Sequence, residues 1–267
     1  RTIPFMSIPL KIKFDDVSLK DKFQLLHEID SNVKKAIGRY LSLSSDVARK
    51  YFLTTEGMRI TSEIPRINFT YFLTLNLNGK SAQKYWQFCN SGGYEHVKIW
   101  NLPKLILDEY KSLEKNLKFA KKPPKGEIDV VVGPEVTGIM VHESVGHPFE
   151  ADRIFGREAA QAGESFVRPE MIGTLLGNSI VNVVDDPTLD NSAGHYLFDD
   201  EGVKARRRFL IKNGKINEFL HNRETAAEMK VKSNGAARAE DYDKEAIVRM
   251  ANTFLLPGDY SEEELIK

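Results

Sequence analysis

Residues 138–148 read Gly138-Ile139-Met140-Val141-His142-Glu143-Ser144-Val145-Gly146-His147-Pro148, an apolar lead-in running into an H-E-x-x-x-H motif. Two imidazoles beside a carboxylate are the side chains that metal-assisted hydrolysis uses: histidines hold the ion and a carboxylate moves a proton. The histidines lie five positions apart. On a regular α-helix, five steps of about 100° leave the two rings roughly 140° out of alignment. The commoner H-E-x-x-H pattern, with a spacing of four, puts both on one face. A single widened π turn would restore alignment, and such turns recur at functional sites. Gly146 has the conformational freedom an irregularity needs, and Pro148 takes His147 out of ordinary mid-helix geometry. Two nearby histidines also arise by chance, one of them satisfied in a core. Glu143, the Gly-His-Pro run and the apolar Ile139-Met140-Val141 weigh towards a site.

Outward from the motif, Ile128–Val132 reads as a short buried strand closed by Gly133-Pro134, and Glu135 to His147 as a helix. Ile180–Asp185 and Phe209–Lys212 read as strands, the latter joined through Asn213-Gly214 to Lys215–Leu220 in a hairpin; Arg223–Met229 reads as a short helix. Upstream, Leu19–Ile37 and Leu102–Lys118 have helical spacing. Leu41–Leu43, Tyr51–Thr54 and Arg66–Leu77 read as strands, with Asn78-Gly79 as a hairpin turn. The predicted class is α+β. An N-terminal sheet with helices on one side occupies residues 1–120, and a Lys/Pro linker residues 121–126. Residues 127–267 form a mixed α+β domain whose irregular sheet supports the H-E-x-x-x-H helix.

The 267 residues carry 38 basic and 38 acidic side chains, so no global field argues for nucleic acid or a membrane surface. No apolar run approaches the roughly 20 residues that span a bilayer, and no signal peptide is visible. One cysteine, Cys89, excludes an intrachain disulfide framework and fits a reducing, cytoplasmic compartment. There is no Gly-x-Gly-x-x-Gly or P-loop pattern to support nucleotide binding. Among other polar residues, Glu150 and Asp152 are placed to orient a ligand imidazole or to be solvated. His195 reads as structural or surface, with approach to a substrate or replacement of a missing ligand as the functional alternatives.

The run Gly138–His147 resembles the core of the TldD/PmbA family of zinc metalloproteases. Further blocks are similar to that family in its order: Val184-Asp185-Asp186-Pro187-Thr188-Leu189, Asp199-Asp200-Glu201-Gly202, Ser233-Asn234-Gly235-Ala236-Ala237-Arg238, and Arg249 to Gly258. Ser91-Gly92-Gly93-Tyr94-Glu95 is a weaker echo upstream. The resemblance implies a peptidase acting on unfolded or extended peptides through a zinc-bound water, with His142 and His147 as metal ligands and Glu143 as catalytic base. It also implies substrate contacts from Asn234 and Arg238, and a homodimer or a heterodimer with a related subunit. The alternative is a catalytically silent peptide-binding or scaffold subunit of such a hetero-oligomer. The family's third zinc ligand is a cysteine near the C-terminus of the full protein. Cys89 stands upstream of the motif, where a buried structural role is expected. The chain therefore reads as a fragment lacking both ends, with two of three expected ligands and zinc occupancy in doubt.

Overall fold

The computed structural model describes residues 5–157 and 163–267; the first four residues of the expected 1–120 unit lie outside it. The chain divides into two compact units, Arg1–Glu127 and Ile128–Lys267, and its architecture is α+β.

In the first unit the elements are β1 (Met6–Ser7), α1 (Leu19–Asn32), β2 (Gly38–Leu53), β3 (Arg59–Leu77), β4 (Lys80–Ser91), α2 (Glu95–Trp100) and α3 (Leu102–Phe119). β3 is the central strand. It pairs antiparallel with β2 on one side and β4 on the other, and parallel with the short β1. The period of two in Ile67, Phe69, Tyr71, Leu73 and Leu75 buries one face of β3. Ile29 and Val33 from α1, and Ile106, Tyr110 and Leu113 from α3, pack on it, so the helices cover one side of the sheet as predicted. Asn78 and Gly79 both adopt positive φ, 51° and 75°, the geometry of a two-residue hairpin turn. β2 is one unbroken strand of 16 residues rather than the two short strands expected. Its middle, Ser44–Lys50, is polar and poorly covered. Pairing with β3, not burial, holds it extended.

The second unit contains α4 (Pro134–Val141), a π turn (His142–Gly146), a 3₁₀ turn (His147–Phe149), α5 (Ala151–Ile154), β5 (Val183–Asp185), β6 (Arg208–Lys212), β7 (Lys215–Ile216), α6 (Arg223–Glu228), β8 (Ala237–Arg238), β9 (Ile247–Val248), β10 (Thr253–Leu255) and α7 (Glu262–Ile266). A four-stranded antiparallel sheet runs β10-β5-β6-β7, and β8 and β9 form a separate two-stranded ribbon. Phe149, Leu210, Phe219, Leu220, Val248 and Met250 belong to one core cluster. Asn213 and Gly214 again make a positive-φ hairpin turn. A Cβ on Gly214 would lie 2.4 Å from the Gly177 carbonyl oxygen, so backbone approach as well as φ selects glycine there.

One expected element is corrected. Ile128–Val132 is not a buried strand: among the described residues it joins no ladder, and Val130 is 69% exposed. An apolar run cannot make a strand without a neighbour to receive its amides. The downstream strands are also shorter than read, with Ile180–Asn182 and Asn217–Leu220 outside the ladder.

Candidate metal centre

The residues around the motif fold as three helical types in succession. α4 begins with Pro134 in its first turn, where a missing N–H costs nothing. Its regular bonding ends at His142, whose N–H is shared between the carbonyls of Gly138 and Ile139. The next turn is wide: the His147 N–H donates to the His142 carbonyl, an i to i+5 bond that closes directly from one histidine to the other. Ser144 Oγ donates back to the Met140 carbonyl at 2.5 Å, a bond of the kind that bends helices. Pro148 then falls within a 3₁₀ turn.

The π turn expected from the spacing is therefore present, and it does what the spacing requires. Val141, Val145 and Phe149 are buried in the core, whereas His142, Glu143 and His147 remain accessible. Of the apolar lead-in only Val141 is buried; Ile139 and Met140 are exposed. The imidazoles of His142 and His147 stand edge to face with centroids 4.6 Å apart. One ligand atom from each of His142, Glu143 and His147 can be chosen so that all lie within 4.8 Å of one another. Glu143 Oε1 is 3.9 Å from His142 Nε2, with its side chain 67% exposed.

Gly146 acts differently from the expectation of conformational freedom. Its φ of −54° and ψ of −68° are right-handed and open to other residues. Space is the reason for glycine: an added Cβ would sit 1.8 Å from Met250 Sδ.

Glu150 lies beneath His147 with a side chain that is 0% exposed. Its Oε2 is 3.0 Å from His147 Nδ1 and accepts from Arg153 Nε at 2.6 Å; Arg249 Nη1 is 3.7 Å away. Its Oε1 accepts from the Met250 N–H at 3.3 Å. Burial pushes the Glu150 carboxyl above the usual carboxylate range, and His147, Arg249 and Arg153 oppose that rise. Neither Glu150 nor Asp152 is solvated; Glu150 lies against the His147 ring, whereas Asp152 is engaged with backbone. Asp152 Oδ2 accepts from the Val248 N–H at 2.9 Å.

The remaining sequence candidates are engaged with backbone. Asn234 is 3% exposed; its Nδ2 donates to the Phe219 carbonyl at 2.7 Å and its Oδ1 accepts from the His221 N–H at 2.9 Å. Arg238 donates to the Met250 carbonyl at 3.0 Å and lies over the Tyr196 ring. His195 is buried with Nδ1 3.2 Å from the Leu189 carbonyl oxygen. Cys89 sits in β4 opposite Asn68, and burial pushes its thiol up. Sequence reasoning missed Met250 as the neighbour of the widened turn, and no local signal marks a contact 104 positions away.

Residues 125–267 match the model of the PmbA/TldA metallopeptidase C-terminal domain, and residues 12–102 match that of the central domain. The chain belongs to the TldD/PmbA metallopeptidase family. Within that family it is 36% identical over 259 residues to a metalloprotease of Methanocaldococcus jannaschii, covering 96% of this chain and 55% of that protein. A zinc metalloprotease TldD homolog of Saccharolobus solfataricus is 33% identical over 168 residues, covering 62% of this chain and 34% of that one. A crystal structure of a protein from Thermotoga maritima superposes with a TM-score of 0.73 at 20% identity, over 97% of this chain and 56% of that one, a likeness of fold. The chain thus spans about half the length of the first TldD/PmbA relatives it matches, between 54% and 58% of each. Among its described residues, no helix is long and apolar enough to cross a membrane.

Proposed function

We propose that the protein to which this chain belongs is a zinc peptidase that cleaves peptide bonds in unfolded or extended peptides. The observation that carries the reading is the π turn that gathers His142, Glu143 and His147. The donor set fits the metal: imidazole nitrogen suits zinc, and a carboxylate behind a ligand ring is the usual support. His142 and His147 would hold the ion. Zinc bound there supplies Lewis acidity, polarising a substrate carbonyl and lowering the pKa of a water.

Glu143 is the proton carrier. It stands beside the ligands, points into solvent and takes a proton from the attacking water. The same carboxyl returns that proton to the amine as the peptide bond breaks. Asn234 and Arg238 serve peptide binding by holding the loops, Asn234 between Phe219 and His221 and Arg238 on Met250. The assembly is a dimer of like or related subunits, and the compartment is the cytoplasm.

Glu143→Gln tests the mechanism in the full-length protein. It preserves shape and removes the base, so peptide cleavage is expected to fall on the order of 10²- to 10⁴-fold while zinc stoichiometry is unchanged. Undiminished cleavage by this variant sinks the assignment of Glu143.

A further inference from the structure

We propose that Glu150 is a positioning residue that fixes the tautomer of His147, placing the proton on Nδ1 and leaving Nε2 as the metal-binding atom. The inference rests on the zinc peptidase reading and assigns a role to a residue that takes no part in the proton transfers above.

The geometry points one way. His147 Nδ1 lies 3.0 Å from Glu150 Oε2, within hydrogen-bond reach. That oxygen already accepts from Arg153 Nε at 2.6 Å, and the second oxygen accepts from the Met250 N–H at 3.3 Å. Both oxygens are therefore in use as acceptors. With Arg153 Nε donating to Oε2 and the Met250 N–H to Oε1, Glu150 faces its neighbours as an acceptor, and the geometry places the hydrogen between Glu150 and His147 on the imidazole. A neutral imidazole carrying hydrogen on Nδ1 has its lone pair on Nε2. The side chain of His147 is 28% exposed while that of Glu150 is wholly buried, so the carboxylate supports the ring from the protein side.

Glu150 also cannot move independently of the fold. Its i+3 relation to His147 places it at the end of the 3₁₀ turn, where its own N–H donates to the His147 carbonyl at 3.2 Å. Its contact with Met250 spans a separation of 100 positions. The ligand ring is thereby referenced to the segment following β9, and Met250 also packs on Gly146 of the π turn. One carboxylate and one methionine make the second ligand's orientation a property of the core.

Glu150→Gln breaks this arrangement without changing size. If the amide oxygen faces Met250, the NH₂ group meets His147 Nδ1 and favours the Nε2–H tautomer, so that hydrogen bond must be given up before Nε2 can take a metal. If it is turned over, NH₂ meets the Met250 N–H and two donors face each other.

The test has two readouts on the full-length protein. The ¹⁵N chemical shifts of the His147 ring in metal-free wild-type protein report the tautomer directly, and Nδ1–H is expected. Zinc affinity, measured by competition with a chelator, is expected to fall about 10- to 100-fold in Glu150→Gln while cooperative unfolding is retained. An Nε2–H tautomer in the wild type overturns the proposal, as does unchanged zinc affinity in a folded variant. If the variant does not fold, the wild-type tautomer alone decides. Because that measurement needs neither zinc nor turnover, it separates failure of this inference from failure of the peptidase reading.

Discussion

Replacing Gly146 with alanine should reverse the sign of its effect according to what occupies position 250. In an otherwise regular helical position, Gly→Ala stabilises by up to about 1 kcal/mol through backbone entropy and helix propensity. The right-handed φ and ψ at Gly146 make that gain available. Against it stands the Met250 side chain, with Sδ at 1.8 Å, Cε at 3.1 Å and Cγ at 3.2 Å from the new Cβ. Three atoms at those distances cannot be relieved by a terminal rotation, and Met250 is 8% exposed within the core cluster. Overpacking of this kind costs about 1–3 kcal/mol, so Gly146→Ala alone should be destabilising by about 1–2 kcal/mol net of the backbone gain. In a Met250→Ala background the obstacle is gone and the same substitution should stabilise by about 0.5–1 kcal/mol. Met250→Ala carries its own cavity cost, which cancels in the double-mutant cycle. The coupling, about 2 kcal/mol, is read from urea unfolding of the four proteins. Equal effects of Gly146→Ala in the two backgrounds would show that the steric account of the π turn is wrong.

Two further expectations concern buried charge. Burial lowers the His221 pKa from 6.5 to about 4 and raises that of Asp199 from 3.8 to about 6. The depressed histidine makes stability fall as pH drops from about 6.5 to 4. The raised aspartate makes it rise as pH drops from about 6 to 3.8, each by about 3 kcal/mol at about 1.4 kcal/mol per pH unit. The two slopes nearly cancel in the wild type. His221→Gln should therefore gain about 3 kcal/mol relative to wild type between pH 6.5 and 4, measured by urea unfolding, and parallel curves would refute the assignment. Separately, Arg208 and Asp185 form a fully buried ion pair, and Arg208 also donates to the Gly235 carbonyl at 2.8 Å. Arg208→Met strands the Asp185 charge and should cost about 3–5 kcal/mol of unfolding free energy; a loss under about 1 kcal/mol would contradict it.

The candidate site was legible because its residues are local: both imidazoles and the carboxylate fall within six positions, and the awkward spacing itself predicts the widened turn. The Glu150 contact with His147 was legible for the same reason, lying one helical turn on. What could not be read is whatever depends on the other side of a contact. Gly146 carries no sign that a methionine sulfur, rather than backbone conformation, demands it. Ile128–Val132 has strand composition but no ladder partner among the described residues. The polar stretch Ser44–Lys50 has little strand composition and yet is a strand, because β3 is there to pair with it. Asn234 and Arg238 show the same limit at the level of function. Family position marks them as important, and only the fold shows that they hold backbone.

The same dependence explains why the blocks of this chain occur together. The β8–β9 ribbon is two residues long on each side, too short to stand alone. Side-chain carboxylates take the place of the missing neighbours. Along one flank, Asp199 accepts from the Ala237 N–H and Asp200 from the Ala239 N–H. Along the other, Asp152 accepts from the Val248 N–H and Glu150 from the Met250 N–H. Asp185 continues the series by accepting from the Ala251 N–H at 2.8 Å. Each acceptor leaves a backbone donor satisfied where a third strand would otherwise be required. One of these carboxylates, Glu150, also lies 3.0 Å from His147 Nδ1, so the ribbon and that histidine share a support. Loss of the Glu150 carboxylate should loosen the ribbon and His147 together rather than separately. That coupling gives a physical reason for acidic blocks so far apart in the chain to accompany the two histidines.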